Sequence, residues 1–126
     1  MQNNSAHILK NFHKPGFVYL IKNDAMPGLY KIGCSVDYKK RIKNMSSSSQ
    51  IPIPFDLLAV VETTSRFELE RFIQMNLDDH HYGKEFFKFG THKRATDVFI
   101  GLSHDYIKSP YARDDVILSI LIGGVL

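Results

Sequence analysis

Hydrophobic and polar positions alternate with different periods along the chain, and each period predicts an element. Residues 16–22 are an apolar run rich in β-branched and aromatic side chains, which predicts a strand. A second strand is predicted over 29–34, and the Asn-, Asp-, Pro- and Gly-containing stretch between the two runs predicts a hairpin turn. A third strand is predicted over 55–62, and a short extended segment over 85–89.

Three further stretches show the spacing of amphipathic helices. The first is predicted from 36 to 46, with Ser35 or Asp37 as its N-cap. The second is predicted to begin near residue 66, because Ser65 and Glu68 form a capping-box pattern. The third carries an apolar stripe at helical spacing, formed by Ala95, Val98, Phe99, Leu102 and Tyr106.

The pairing of the first hairpin follows from the position of its turn. A turn centred near Ala25 predicts that Tyr19 lies directly opposite Lys31, with both side chains on one face of the sheet. A slip of one residue would move them to opposite faces.

Composition favours one globular domain. The chain has 126 residues, of which 44% are hydrophobic and 12% aromatic. No apolar run reaches the roughly 18 residues of a membrane span, and the first five residues lack the pattern of a secretory signal. Cys34 is the only cysteine, which excludes an internal disulfide. We therefore predict a cytoplasmic protein with no membrane partner.

The net charge of +3 is unevenly distributed. Residues 31–43 contain five basic side chains and one acidic one, so this region is a candidate surface for a phosphate backbone. Lys39, Lys40 and Lys43 are its predicted DNA-binding residues. The ordinary alternative is a solvated helix face.

Three regions are predicted along the chain. Residues 1–15 are a polar N-terminal arm, and 16–89 are the core of the domain. Residues 90–126 comprise a helix and an apolar tail that packs on the core or on a partner. The tail, from 116 to 126, is almost wholly apolar, which fits a last core helix or strand, or a contact surface for a second copy of the chain.

Six short motifs follow one another within the predicted core. They are Gly16-Phe17-Val18-Tyr19, Tyr30-Lys31-Ile32-Gly33, Arg41 in its basic segment, Ile51-Pro52-Ile53-Pro54-Phe55, Leu69-Glu70 and Glu85-Phe86-Phe87. Each motif alone is weak, but their order and spacing together are specific. In this order they resemble the GIY-YIG nuclease superfamily. More closely, they are similar to its branch of phage T5 Orf172-like and meiotically up-regulated gene 113-like domains.

The resemblance implies a small α/β (α+β) fold with a three-stranded antiparallel sheet flanked by helices. It also implies an endonuclease of phage, mobile-element or host-defence type that cleaves DNA with one divalent ion, Mg²⁺ or Mn²⁺. By position, the first-motif tyrosine is Tyr19, and Lys31 stands where the superfamily has its second tyrosine. The superfamily arginine is Arg41, and the metal-binding glutamate is Glu70.

Two further positions differ from the pattern of related nucleases. Gln74 stands where members of the branch often have a histidine after the glutamate. Glu85 is the polar residue nearest to the position where related nucleases often have an asparagine.

Each of the four site residues has an expected role in the hydrolysis of a phosphodiester. Glu70 would hold the hard cation, which tolerates few protein ligands. Arg41 would bind the non-bridging oxygens, and Lys31 would orient the attacking water. Tyr19 is the candidate general base; its ordinary pKa of about 10 is too high for that role, but the two nearby cations favour the phenolate.

Each of these residues also has an ordinary interpretation. Tyr19 could be a packed core tyrosine, Lys31 a lysine on a strand edge, Arg41 a solvated charge, and Glu70 an exposed helix acid. For the whole protein, two alternatives to an endonuclease stay open. One is a catalytically inactive DNA-binding module on the same fold, and the other is a protein-interaction domain that assembles through 116–126.

Overall fold

Within the described residues, six strands form one antiparallel sheet, and three α-helices and one short 3-10 helix (Asp78–His80) complete the fold. The computed structural model describes residues 14–110, 112 and 118–122. The strands are β1 (Gly16–Lys22), β2 (Leu29–Ser35), β3 (Asp56–Thr63), β4 (His81–Gly83), β5 (Phe86–Lys88) and β6 (Leu118–Ile122). Their order across the sheet is β4-β5-β2-β1-β3-β6.

The α+β class agrees with the prediction, but the predicted three-stranded sheet is wrong. The three predicted strands are its centre, β2-β1-β3, and additional strands extend both sides. On one side, β5 confirms the extended segment predicted over 85–89, whereas β4, with three residues, is too short for a period to be visible in the sequence. On the other side, β6 lies in the apolar tail, where a continuous apolar run does not distinguish a strand from a helix.

The helices are α1 (Tyr38–Ser46), α2 (Arg66–Asn76) and α3 (His92–Lys108). Of the two predicted caps of α1, Asp37 occupies the N-cap, and its carboxylate accepts a hydrogen bond from the Lys40 amide at 3.1 Å. Ser65 occupies the N-cap of α2, but its side chain makes no capping hydrogen bond. The Glu68 carboxylate accepts a hydrogen bond of 2.9 Å from the Tyr106 hydroxyl, which joins α2 to α3.

Two apolar clusters cover the two faces of the sheet. One contains Val18 and Leu20 of β1 with residues of α2 and α3, and the other contains Tyr19 and Ile21 with Ile42 of α1. Successive side chains of a strand point to opposite faces. Because β1 is buried on both faces, its sequence is a continuous apolar run with no polar alternation.

The register of the first hairpin differs by two residues from the prediction. Tyr19 pairs with Gly33, and Ile21 pairs with Lys31. The turn is centred one residue further along than Ala25, since the last pair is Lys22 with Tyr30. A slip of two residues preserves the face, so Tyr19 and Lys31 share one side of the sheet as diagonal neighbours.

Parts of the predicted arm and tail lie outside the described residues. Of the arm, only residues 14 and 15 are described. Within the tail, the strand alternative is confirmed for Leu118–Ile122, which pairs with β3. Contact with a second copy stays a prediction. In the described part of the chain, no helix combines the length and the apolar character needed to cross a bilayer.

Candidate functional site at the open end of β2

The last residues of β2 lie at an open end of the sheet. On the β5 side, strand pairing covers only Leu29 to Lys31. One more backbone hydrogen bond, from the Ile32 amide to the Glu85 carbonyl at 3.1 Å, continues this edge. Beyond it, within the described residues, Gly33 and the two residues after it have no strand partner on that side. Side chains from both faces of the sheet can therefore meet around this end of β2.

Tyr19 lies across the backbone of β2 at Gly33. A Cβ atom placed on Gly33 would lie 2.4 Å from the Tyr19 hydroxyl oxygen, so only glycine permits this position of the ring. The side chain is 2% exposed, and the Arg41 guanidinium lies close enough to its hydroxyl to act on its pKa. Burial raises the pKa of Tyr19, and Arg41 opposes this effect only in part. The hydroxyl is accordingly protonated at neutral pH in the free protein.

Gly16, the glycine of the first motif, also permits other groups to approach the backbone closely. A Cβ on Gly16 would lie 2.5 Å from Cδ of Arg66 and 2.8 Å from the Ser35 carbonyl oxygen. Arg66 begins α2, and its Nη1 donates a hydrogen bond of 2.6 Å to the Pro15 carbonyl. The contact with Gly16 places the start of this side chain near the end of β2, and its positive charge offsets a small part of the rise that burial causes in the pKa of Cys34.

Arg41 reaches the site from the basic helix α1. The neighbouring Ile42 is fully buried and anchors α1 on the sheet, whereas Arg41 itself is exposed. The three predicted DNA-binding residues, Lys39, Lys40 and Lys43, are exposed on the same helix. In the described part of the chain, none of these three has an acidic partner at ion-pair distance.

Lys31 forms an ion pair with Glu85, the residue that precedes β5. The Lys31 side chain is 13% exposed and that of Glu85 is 47% exposed. The Phe86 ring flanks the ammonium group, with its centroid 5.5 Å from Nζ. Lys31 is thus a largely buried cation whose counterion, Glu85, is the more exposed of the two side chains.

Glu70 approaches from the opposite face of the sheet, on α2. It is partly buried and lies near the thiol of Cys34, whose position in β2 directs it to the α2 side. Burial and the negative charge of Glu85 raise the pKa of Glu70 to about 6. Burial and the neighbouring Glu70 raise the pKa of Cys34 to about 12, so this thiol is protonated and is not a nucleophile at neutral pH.

The structure places all four sequence-predicted site residues around one end of β2. Tyr19, Lys31 and Arg41 lie on the α1 face, and Glu70 lies on the α2 face. The two faces interact electrostatically at this end of β2, because the charge of Glu85 raises the pKa values of both Tyr19 and Glu70. The site therefore contains two cations and two carboxylates in one small region.

The sequence named Glu85 and Gln74 only as departures from the family pattern and predicted no function for either residue. The structure makes Glu85 the counterion of Lys31, and the only signal in the sequence was its place before two phenylalanines. The Gln74 side chain donates a hydrogen bond of 3.1 Å to the Ile32 carbonyl, which ties α2 to β2. This contact gives Gln74 a structural role at the position where related domains often have a histidine.

Candidate ligands for a metal ion are few at this site. In the portion of the chain that the structure describes, no three His, Cys, Asp or Glu side chains are grouped so as to hold a metal ion. The two carboxylates, Glu70 and Glu85, are the available hard donors. His80 and His81 lie elsewhere: His80 stacks on Phe89 with centroids 4.5 Å apart, and His81 contacts the Lys84 carbonyl at 2.7 Å.

Comparison with known proteins identifies the family. The T5orf172 domain family matches residues 16–102, which is more than half of the chain, and the chain belongs to this family. The family is linked to the GIY-YIG-like, nuclease-like branch and indicates a nuclease-like or DNA-binding function. No curated protein and no solved structure matches the chain.

Proposed function

We propose that this protein is a metal-dependent endonuclease of the GIY-YIG type that hydrolyses phosphodiester bonds in DNA. The observation that supports the proposal is that Tyr19, Lys31 and Arg41 share the α1 face near the open end of β2, while Glu70, on the α2 face, is close enough for the charges of Lys31 and Glu85 to act on its pKa. These residues come from four different elements and are far apart in the chain. Two motif glycines, Gly16 and Gly33, make room for the side chains that cross this end.

The cations of the site would bind the scissile phosphate. The planar guanidinium of Arg41 matches two phosphate oxygens, and it lies beside the Tyr19 hydroxyl at the edge of the sheet. Lys31 supplies a second, point-like positive charge. The exposed lysines of α1 would contact neighbouring phosphates, which positions the duplex without selecting a sequence.

The carboxylates fit a hard divalent cation that keeps most of its water. The pKa of Glu70 is raised by burial and by the charge of Glu85, so a positive ion placed beside Glu70 would relieve an unfavourable concentration of negative charge. Glu70 would hold Mg²⁺ or Mn²⁺, which bind through one or two carboxylates. When bound, such an ion polarises the phosphate and stabilises the charge on the leaving oxygen.

Tyr19 enters the reaction as a neutral phenol. Its raised pKa in the free protein opposes the base role that the family resemblance implies. The proximity of the two groups supports a different contribution, in which the hydroxyl would hold the guanidinium of Arg41 in place for the phosphate. A base role in addition requires the pKa of Tyr19 to fall when substrate binds.

A plasmid-nicking assay tests the proposal most directly. The full chain should convert supercoiled plasmid to the nicked form with Mg²⁺ or Mn²⁺, and EDTA should stop the reaction. Glu70→Gln removes the charge that would hold the cation while keeping the shape of the side chain, and it should lower the rate about 100-fold or more with duplex binding retained.

The matched control is Asp97→Asn, which removes one negative charge from an exposed ion pair with Lys93 on α3. It should nick plasmid at the wild-type rate. Nicking by Glu70→Gln at the wild-type rate, or nicking by the wild type in EDTA, would reject the proposal.

The second candidate is a catalytically inactive DNA-binding module. The burial of Tyr19 and the raised pKa of its hydroxyl favour this alternative, because they leave the site without an evident base in the free protein. It predicts duplex binding that weakens steeply with salt, through the lysines of α1, and no nicking with any divalent ion.

A further inference from the structure

We propose that Glu85 is an exchangeable counterion: it neutralises Lys31 in the free protein and releases it to a substrate phosphate when a divalent cation binds beside Glu70. This inference rests on the nuclease function proposed above and concerns how the same site is controlled. It makes Glu85 a positioning residue, since it acts through Lys31 and through the cation.

The backbone of Glu85 is held in place while its side chain is accessible. Its carbonyl accepts a hydrogen bond from Ile32, and the next residue, Phe86, pairs with Lys31 in the sheet. The carboxylate is half exposed, whereas Lys31 is mostly buried and lies against the Phe86 ring. Rotation of the Glu85 side chain is therefore the easier of the two movements by which this ion pair can open.

A phosphate and the Glu85 carboxylate would compete for one ammonium group. A phosphate can contact Lys31 closely only if Glu85 withdraws from it. The withdrawn carboxylate remains attached beside the site, where its charge already acts on Glu70. Without a cation, the two carboxylates repel each other, and the ion pair with Lys31 is the favoured state.

A divalent cation reverses this preference. An ion beside Glu70 attracts the Glu85 carboxylate and frees the ammonium of Lys31 for phosphate. Coupling of this kind is reciprocal, so phosphate must strengthen cation binding by the same factor by which the cation strengthens phosphate binding. The scissile phosphate would thus contact Lys31 closely only when the cation is present, while the lysines of α1 bind the duplex in either state.

The Lys93–Asp97 pair on α3 provides an internal comparison. Its side chains are 84% and 56% exposed, and it lies within one helix at i, i+4 spacing. Breaking it also removes one negative charge and frees one lysine. It therefore controls for the general effect of net charge on DNA affinity.

The test is the affinity for a fluorescent DNA duplex, measured by anisotropy in EDTA and in Ca²⁺, a hard cation that also takes oxygen ligands. In EDTA, Glu85→Gln should bind duplex about two- to fivefold more tightly than the wild type, a range set by the strength of single ion pairs near a surface. Asp97→Asn should change the affinity by less. Addition of Ca²⁺ should tighten binding by the wild type more than binding by Glu85→Gln.

A double-mutant cycle shows whether the effect passes through Lys31. In a Lys31→Met background, Glu85→Gln should no longer tighten binding in EDTA beyond the Asp97→Asn control. The inference is overturned if Glu85→Gln binds no more tightly than Asp97→Asn in EDTA, or if its effect is unchanged in the Lys31→Met background. If either result is obtained while the wild type still nicks plasmid in a cation-dependent way, only this inference is overturned. If neither the wild type nor any variant binds duplex, the proposed function is overturned as well.

Discussion

Two buried tyrosines lie in neighbouring strands and have very different surroundings. Tyr19 and Tyr30 are each 2% exposed, and burial raises the pKa of both. The Tyr30 hydroxyl forms a hydrogen bond of 2.7 Å with Nδ1 of His92, at the start of α3. Burial of a tyrosine and a partner for its hydroxyl therefore do not by themselves distinguish a functional site from a packed core.

The charged groups around the two tyrosine rings distinguish the candidate functional site from the packed core. Near Tyr30 there is a cavity of about 420 Å³, but the lysine that lines it, Lys22, is already paired with Asp24 and Asp56. Near Tyr19, the pKa shifts reflect Arg41, Glu85 and Cys34 together. A concentration of groups whose charges disturb one another is a better indication of function than the size of a cavity.

The largest expected effect comes from closing the space over β2. Gly33→Ala places a methyl group 2.4 Å from the Tyr19 hydroxyl oxygen, so the ring or the strand must move. We expect nicking to fall at least about 100-fold, with a loss of about 1–3 kcal/mol in the free energy of unfolding. Nicking and denaturant unfolding measure the two effects.

Gly101→Ala is the matched control for that substitution. A Cβ at Gly101, on α3, meets nothing within 4 Å. Alanine there should leave nicking unchanged and stabilise the protein by about 0.5–1 kcal/mol, because glycine is a poor helix former. Unchanged nicking by Gly33→Ala would show that Tyr19 does not need its position across β2.

The comparison between the tyrosines predicts a difference between two equivalent substitutions. Tyr19→Phe removes the oxygen that would hold the Arg41 guanidinium during the reaction. A hydrogen bond to a charged group is worth about 1.5–3 kcal/mol, so nicking should fall about 10- to 100-fold. Tyr30→Phe removes only the bond to His92 and should leave nicking unchanged.

The pH dependence of nicking separates the two possible roles of Tyr19. If the residue only positions Arg41, Tyr19→Phe lowers the rate by a similar factor at every pH. A loss that grows as the pH rises would instead identify the hydroxyl as a base. Equal nicking by Tyr19→Phe and Tyr30→Phe would remove the distinction drawn between the two regions.

The smallest expected effect concerns stability and not cleavage. The pKa of Glu70 is about 6 in the folded protein, above its ordinary value of 4.5, so the fold favours the protonated form. Stability is therefore lost as the pH rises through the window from about 4.5 to 6. Because the carboxylate is partly exposed and screened by solvent, Glu70→Gln in EDTA should be more stable than the wild type by only about 1 kcal/mol at pH 8, and equally stable near pH 4.

Denaturant unfolding at the two pH values measures this difference. A variant that is less stable than the wild type at pH 8 would show that the charged form of Glu70 is held by favourable contacts. It would also weaken the inference that an accumulation of negative charge favours a cation at this site.

Local sequence determined the central elements and the types of residue available for chemistry. The apolar run that predicts a strand over 16–22 coincides with β1, because a strand buried on both faces needs apolar side chains at every position. The stripe that predicts the third helix lies within α3. The order of the motifs was sufficient to predict the family, and the T5orf172 match over residues 16–102 confirms that prediction.

Only the tertiary structure decided which side chains meet. The register of the hairpin depends on where the turn closes, and a two-residue difference replaced Lys31 by Gly33 opposite Tyr19. The burial of Tyr19 depends on α1, and the pairing of Lys31 with Glu85 depends on β5, a strand of three residues. Periodicity reports the face that a residue occupies, whereas contacts across the sheet are set by the packing of distant segments, which no local pattern contains.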